Sequence, residues 1–502
     1  MWAQFAIALL IGFNLLLLGY FVLLNTFYLA TSLFAFRSLR RYARRLNSID
    51  VDDLVRTAGA PPVTIQIPAY NEEANCVESV RSLLQMRYPE YEILVINDGS
   101  GDGTMERLRQ AFRMTPTVRA HTAELPTERI RDVFRSEMVP HLWLIDKENG
   151  GKADALNAGL NFCHTPLVCA MDADSVLEPG ALMRLVRPFM EDGTTIAAGG
   201  IVRIANGCTI ENGTVSDVRL PRRNLVRFQV VEYLRAFLAG RMGWSALDVL
   251  LIISGALGLF RRSAVVDAGG YSRATVAEDM ELIVRLHRLF RERKQAYRIS
   301  FVPDPVAWTE APEKFRTLAR QRDRWQRGLM QALGHHREML LNPRYGRIGM
   351  IAFPYFWFME GLGPALEFLG YIAFAITLAL GLFSTPFLVA FLAIALVFGS
   401  ALSVAAIGLE ELVFRRYTRM RDFLLLLWLA IAENFGYRQL LSFWRFKGVI
   451  SAIRGRKGWG HMDRHGTLRP VLEEEDDETA AASVGVPVAA GAAAGDWRAR
   501  AR

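Results

Sequence analysis

The sequence predicts an α/β domain with a largely parallel sheet, set between membrane-spanning helices. Three observations carry that prediction. The apolar residues are segregated: residues 2–36 hold no charged side chain, and 348–409 hold only Glu360 and Glu367. Both stretches exceed the ~20 residues that cross a bilayer. Directly after the first, "RSLRRYARRL" places five arginines within residues 37–45. Between the two apolar regions, short β-rich runs alternate with helical patterns, as in parallel sheets with crossover helices.

This segregation explains how a chain with 22% charged residues is 51% hydrophobic and reaches a mean hydropathy of +0.16. The first apolar run lacks a basic leader and far exceeds the ~7–15 residues of a cleavable signal core, so it reads as an anchor. The positive-inside rule then places its arginine-rich end, and the polar middle 50–345, in the cytosol. The net charge of +8 does not imply nucleic-acid binding, because the basic cluster sits where anionic headgroups would meet it. Cys76, Cys163, Cys169 and Cys208 show no C-x-x-C spacing, which argues against disulfides and zinc.

Taken in order, 62–70 (PVTIQIPAY) reads as a strand and 78–86 (ESVRSLLQM) as a helix. A strand over 91–100 (YEILVINDGS) precedes a helix over 104–112, and a strand over 141–146 (HLWLID) precedes a helix over 152–162. The run 166–175 (PLVCAMDADS) is again a strand entering a loop, and interfacial helices are expected near 225–252 and 313–340. After 345, an interfacial segment leads through Gly361, Gly363 and Pro364 into a membrane helix ending near 383, and another spans 386–409. The run 423–444 is interrupted by Glu433, Asn434 and Arg438, so it either spans with a buried polar face or re-enters. Four spans would put the C-terminus outside, whereas the basic stretch 445–465 places it inside. From about 471 the tail is acidic, then Ala/Gly-rich, the composition of a disordered segment. The organisation is therefore a membrane helix (1–36), a basic linker (37–60), a cytosolic domain (61–345), about three interfacial and membrane helices (346–446) and a tail (447–502).

Ligands of such sheets sit at the carboxyl ends of strands, and polar residues gather there. In "INDGSGDGT" Asp98 ends a strand, and the following glycines admit a close ligand; a plain polar turn fits too. In "MDADS" Asp172 and Asp174 are two apart, so in extended chain both point one way and repel unless a cation sits between them. A hard Mg²⁺ or Mn²⁺ holding a diphosphate meets that need, and a solvated acidic turn is the alternative. "KENGGKADALNAG" sets Lys147 and Lys152 around a Gly-Gly turn at a helix start, which suits phosphate oxygens although no Walker motif is present. Glu278 and Asp279 open another helix, as catalytic acids or simple capping acids. In "QRDRW" Gln321, Arg324 and Trp325 share one helical face, which alone could be a membrane-surface helix.

Together these motifs resemble, in order, the membrane-embedded processive glycosyltransferases of family 2, which include cellulose, chitin-oligosaccharide, hyaluronan and poly-N-acetylglucosamine synthases. The resemblance spans "IPAYNEE", Asp98, the Gly-Gly-Lys segment, the D-x-D pair, the E-D pair and Q-x-x-R-W, over roughly 60–340. "GGIVRIANG" and "QVVEYLRAF" are most similar to the poly-N-acetylglucosamine branch. The resemblance implies a GT-A, Rossmann-like domain acting on a UDP-sugar. Tyr70 and Asp98 would hold the uracil, with Glu72 beside them in the same motif; Asp172 and Lys152 would contact the nucleotide, and Asp174 the divalent metal. Asp279, next to Glu278, would be the general base for inverting transfer to a β-glycan. Gln321, Arg324 and Trp325 would border the active site, Arg324 toward the diphosphate and Trp325 stacking on the acceptor sugar, and Ser254 and Gly255 would form the loop at the acceptor's end. Where the family has T-E-D, this chain reads Ala277-Glu278-Asp279, losing one hydroxyl. The expected partners are a UDP-sugar, best matched by UDP-GlcNAc, a growing polysaccharide, membrane lipids and an accessory export or regulatory protein, at the bacterial inner membrane. A family 2 enzyme adding one sugar to a polyprenyl phosphate is the alternative, and a non-catalytic scaffold would have no use for the four intact aspartates.

Overall fold

The computed structural model describes residues 1–46, 59–211, 213–382 and 384–456; half of the linker 37–60 and the greater part of the tail 447–502 lie outside these residues. The central element is a ten-stranded sheet. Its strands are β1 (Val63–Ala69), β2 (Tyr91–Asp98), β3 (Met114–Pro116), β4 (Ile130–Ser136), β5 (Leu142–Lys147), β6 (Leu167–Ala170), β7 (Ser175–Leu177), β8 (Thr195–Ile204), β11 (Gly258–Arg261) and β12 (Arg298–Thr309). The short strands β9 (Thr209–Glu211) and β10 (Thr214–Asp217) pair separately.

The order β3-β4-β5-β2-β1-β6-β11-β8-β12-β7 shows where the sequence reading needs correction. The run β5-β2-β1-β6 is parallel, but β11 lies antiparallel between β6 and β8, and β4 antiparallel to β5. The sheet is therefore mixed. Strand β11 returns from a long excursion, 205–257, so it enters the sheet from the opposite end. The parallel strands are buried on both faces: in β1 every residue but Pro68 is buried, and all ten of β8 are. Helices Cys76–Leu84 and Lys152–Phe162 cover them as crossovers. All these parallel strands then end on one edge, which sets Tyr70, Asp98, Lys147 and Asp172 in a row.

Among the described residues, three helices are long and apolar enough to cross a membrane: Ile7–Arg44, Ile348–Ala379 and Thr385–Val413. They expose large apolar side chains such as Leu16, Leu33, Val389 and Val397, the surface that lipid would cover. The run 423–444 is divided: helix Met420–Ala432 stops at Glu433, Gly436 turns at φ 98°, and helix Tyr437–Ile453 follows. A helix running from Asn224 to Ala246, with a π-helical turn over Leu234–Gly240, passes the first membrane helix closely at Gly243. A Cβ there would come within 2.4 Å of the Thr31 carbonyl oxygen.

Four acids in or beside these helices, Glu360, Glu367, Glu410 and Glu433, have partners. Glu433 pairs with Arg235 and Arg438. Glu360 meets Arg445 at 2.9 Å and the Tyr28 hydroxyl at 3.0 Å, and Ser442 donates to Glu367 at 2.6 Å. Glu410 reaches Arg203 of β8 at 2.6 Å, fastening a membrane helix to the sheet.

Candidate active site

One side of the site grows from the ends of β2, β5 and β6. Asp98 is buried, and its carboxylate accepts from Lys147 Nζ at 2.6 Å and from the Gly150 and Gly151 N–H groups at 3.0 and 2.8 Å. Gly99 allows this: its φ is +68°, and a Cβ would lie 2.9 Å from the Asn149 nitrogen. Lys147, also paired with Asp154 at 2.5 Å, is fully buried. Of the two lysines that the sequence offers to phosphate, Lys147 therefore shapes the loop, and Lys152 alone faces the cleft.

Strand β6 stops at Ala170, so Asp172 and Asp174 stand in a turn rather than in extended chain, yet both line the cleft. Lys152 Nζ joins two motifs distant in sequence, lying 2.7 Å from Asp172 and 2.9 Å from Glu278. Burial opposes the charge of Lys152, but the carboxylates of Asp172, Glu278 and Asp279 outweigh it and hold the ammonium well above the ordinary lysine range. Burial pushes the Glu278 carboxyl up, against the pull of Lys152.

Asp279 lies in the first turn of helix Glu278–Glu292, where the helix dipole favours a carboxylate. Its Oδ1 accepts from the Met280 N–H at 2.8 Å and its Oδ2 from the Gly255 N–H at 3.0 Å. The Ser254–Gly255 loop thus touches the carboxylate directly, and a Cβ at Gly255 would fall 2.6 Å from Lys152 Nζ.

Helix Phe315–His335 forms the opposite wall with helix 224–246. Gln321, Arg324 and Trp325 line the cleft as one face, and Trp325 keeps 38% of its surface exposed. The residue between them was not singled out by the sequence. Arg322 is buried, its guanidinium 4.2 Å from the Trp325 ring centre, donating to Gln321 Oε1 at 2.8 Å and to Glu232 at 2.8 Å. Tyr437 also donates to Glu232, at 2.9 Å. Tyr233 and Phe237 complete an aromatic wall, their rings 6.4 and 6.3 Å from Trp325. Their spacing with Arg241, at i, i+4 and i+8, was the legible signal in "EYLRAFLAGR".

One cleft of about 380 Å³ collects Lys152, Asp172, Asp174, Ser254, Gly255, Glu278, Asp279, Gln321, Arg324 and Trp325, and continues to Glu360 and Arg445. Tyr70, Glu72 and Asp98 are outside that lining. Tyr70 is exposed, whereas Glu72 and Asp98 are buried. They occupy the ends of β1 and β2, next in the sheet to β6.

A model of the family described as "Glycosyltransferase like family 2" matches residues 61–328. A poly-β-1,6-N-acetyl-D-glucosamine synthase of Staphylococcus aureus (strain COL) is 26% identical over 349 residues, 69% of this chain and 71% of the relative. The synthase of the same name from Staphylococcus epidermidis is 27% identical over 266 residues, 53% and 54% of the two chains. Among solved structures, a mannosyltransferase of Pyrobaculum calidifontis in complex with GDP-Man and Mn²⁺ aligns over 83% of this chain and 99% of its own, at 20% identity and a TM-score of 0.47. The chain belongs to glycosyltransferase-like family 2, and it is a hexosyltransferase with a GT-A-type domain joined to membrane helices.

Proposed function

We propose that the chain is a processive, inverting synthase. It polymerises UDP-N-acetylglucosamine into a β-linked polysaccharide and passes the product across the bacterial inner membrane, with its sheet domain cytoplasmic. The observation that carries this is the continuity of the cleft. It runs from Lys152, Asp172 and Asp174 past Asp279 and Trp325 to Glu360, which belongs to the apolar helix Ile348–Ala379. A polymer leaving such a site enters the membrane region without release. The likeness to poly-β-1,6-N-acetyl-D-glucosamine synthases supports the choice of sugar.

The exposed Tyr70 ring and the loop ordered by Asp98 and Glu72 would hold the uracil. Asp172 and Asp174 fit a divalent ion: two hard oxygen donors in one turn leave room for the diphosphate and water ligands that Mg²⁺ or Mn²⁺ retains. Bound there, the ion would neutralise charge on the leaving UDP. Asp279, held by two backbone N–H groups, takes the proton of the acceptor hydroxyl as that oxygen attacks the anomeric carbon. One displacement inverts the centre, giving a β-linkage from an α-linked donor. Lys152 fixes Asp172 against Glu278, and so sets the donor site at a constant distance from the base. Arg324 and Gln321 face the diphosphate, and the Trp325 ring offers a face to the acceptor.

The test is transfer from labelled UDP-GlcNAc, UDP-glucose and UDP-glucuronate by the purified full chain with Mg²⁺ or Mn²⁺, products being sized on a gel. A long product from UDP-GlcNAc that disappears with EDTA is expected. Single-sugar addition to a lipid phosphate would overturn the processive reading, and a long product from another donor would overturn the sugar.

A further inference from the structure

Arginines around this cleft are paired with acids: buried Arg203 with Glu410 at 2.6 Å, buried Arg322 with Glu232 at 2.8 Å and the half-buried Arg445 with Glu360 at 2.9 Å. Arg241 differs. It is 8% exposed and lines the same cleft, yet among the described residues no carboxylate lies within ion-pair distance of it, and its Nη1 has no hydrogen-bond partner. Its guanidinium lies 4.1 Å from the Phe237 ring centre, a favourable but partial compensation. Burial lowers its pKa to about 10, with Asp279 and Tyr233 pulling the other way, so it remains a cation at neutral pH. Leaving a charge dehydrated without a counter-charge destabilises a fold. A group held at that cost is one whose partner arrives with the ligand.

The position says which ligand. Arg241 follows Tyr233 and Phe237 along one helix, and those two rings pack against Trp325, whereas Lys152 pairs with Asp172 and Glu278. The charge of Asp279 reaches it from the floor of the cleft. The preceding turn is π-helical, a local feature that often accompanies functional sites.

We infer that Arg241 is an acceptor-binding residue, which donates hydrogen bonds to oxygens of the terminal sugar while Asp279 takes its proton. A planar guanidinium on an aromatic face presents several N–H groups in a fixed fork, suited to the oxygen-rich edge of a sugar whose ring is stacked on Trp325. This inference rests on reading the cleft as that of a glycosyltransferase, and it names the side on which Arg241 acts.

The test compares wild type with Arg241→Met and Arg241→Lys. Three quantities are measured: the KM for soluble fragments of the wild-type product, the affinity for UDP with Mn²⁺ by calorimetry, and the thermal midpoint in detergent. Arg241→Met should raise the acceptor KM at least tenfold, leave UDP affinity within twofold and raise the thermal midpoint, because it removes an uncompensated buried charge. Arg241→Lys should fall between the two in acceptor KM. Weakened UDP binding would overturn the inference in favour of a diphosphate contact, and a lowered midpoint with unchanged KM would show a structural role. Wild type inactive with every donor would overturn the glycosyltransferase reading itself, whereas active wild type matched by both variants would overturn only the role of Arg241.

Discussion

The two sides of the cleft solve opposite electrostatic problems. On the donor side acids outnumber the lysine among them: Asp172, Glu278 and Asp279 all act on Lys152, which stays charged and ties two of them together. Such a site is poised for a cation and a diphosphate. On the acceptor side the charges are guanidiniums laid on rings, Arg322 on Trp325 at 4.2 Å and Arg241 on Phe237 at 4.1 Å. That side presents flat faces with N–H edges, and its Glu232 is neutralised by Arg322, which suits a neutral sugar. Asp279 lies where the sides meet, bonded to the Gly255 N–H of the loop and acting on charges from both. Under the proposed function, donor and acceptor would then be recognised by separate machinery sharing one carboxylate.

That division fixes the largest expected effect. Asp279→Asn keeps the shape but removes the proton acceptor, so transfer should fall by about 10³-fold, within the range for loss of a general base. UDP affinity should change little, since the donor side remains intact. Equal loss of UDP binding would break the comparison by showing that Asp279 belongs to the donor side. The second effect is on stability. Glu232→Ala leaves Arg322 buried without its carboxylate, and removal of one partner of a buried pair costs about 3–5 kcal/mol. It should lower the thermal midpoint and shift Trp325 fluorescence, because the guanidinium that backs the ring loses its anchor. An unchanged midpoint would mean that water replaces Glu232 without loss.

The same division explains what the sequence made legible. The donor side is built from strand ends, where a few adjacent residues carry both the fold and the chemistry: Asp98 after β2, Asp172 and Asp174 after β6, and Lys152 at a helix start. Local spacing finds such sites. The role of Lys147 escaped because its partner Asp98 is 49 residues away. The acceptor side is assembled from helices 224–246, 315–335 and 437–453, and its organising contact, Arg322 with Glu232 and Tyr437, joins all three. In sequence Arg322 is one of several arginines in a basic run, and nothing local marks it as the buried one. The sheet was read as largely parallel because its crossover helices are periodic, whereas the antiparallel insertion of β11 depends on the path of the intervening 53 residues from 205 to 257.

A smaller effect tests the loop between the two sides. Gly255→Ala would set a methyl group 2.6 Å from Lys152 Nζ. The end of a lysine side chain moves readily, so the fold should survive while the Lys152–Asp172–Glu278 bridge shifts. Transfer should fall roughly tenfold, short of the ~10²-fold that an ångström of misplacement costs at a reacting centre. Full activity would show that the bridge does not set the distance between donor and base.

The smallest effect lies in the pH dependence of stability, and its sign follows from Glu278. Burial raises the pKa of this carboxyl above its ordinary value, with Lys152 opposing. The folded chain therefore keeps a proton that the unfolded chain has already released. Stability from this group is fully present below the ordinary glutamate pKa and is lost as pH rises through the folded value. Glu278→Gln removes that titration. Between mildly acidic and neutral pH the thermal midpoint of the variant should decline less steeply than that of wild type, whatever its absolute level. Parallel declines would mean that Lys152 holds Glu278 ionised throughout. The donor side would then be a fixed ion-pair network with no proton to lose, which would sharpen its contrast with the buried Arg241 across the cleft.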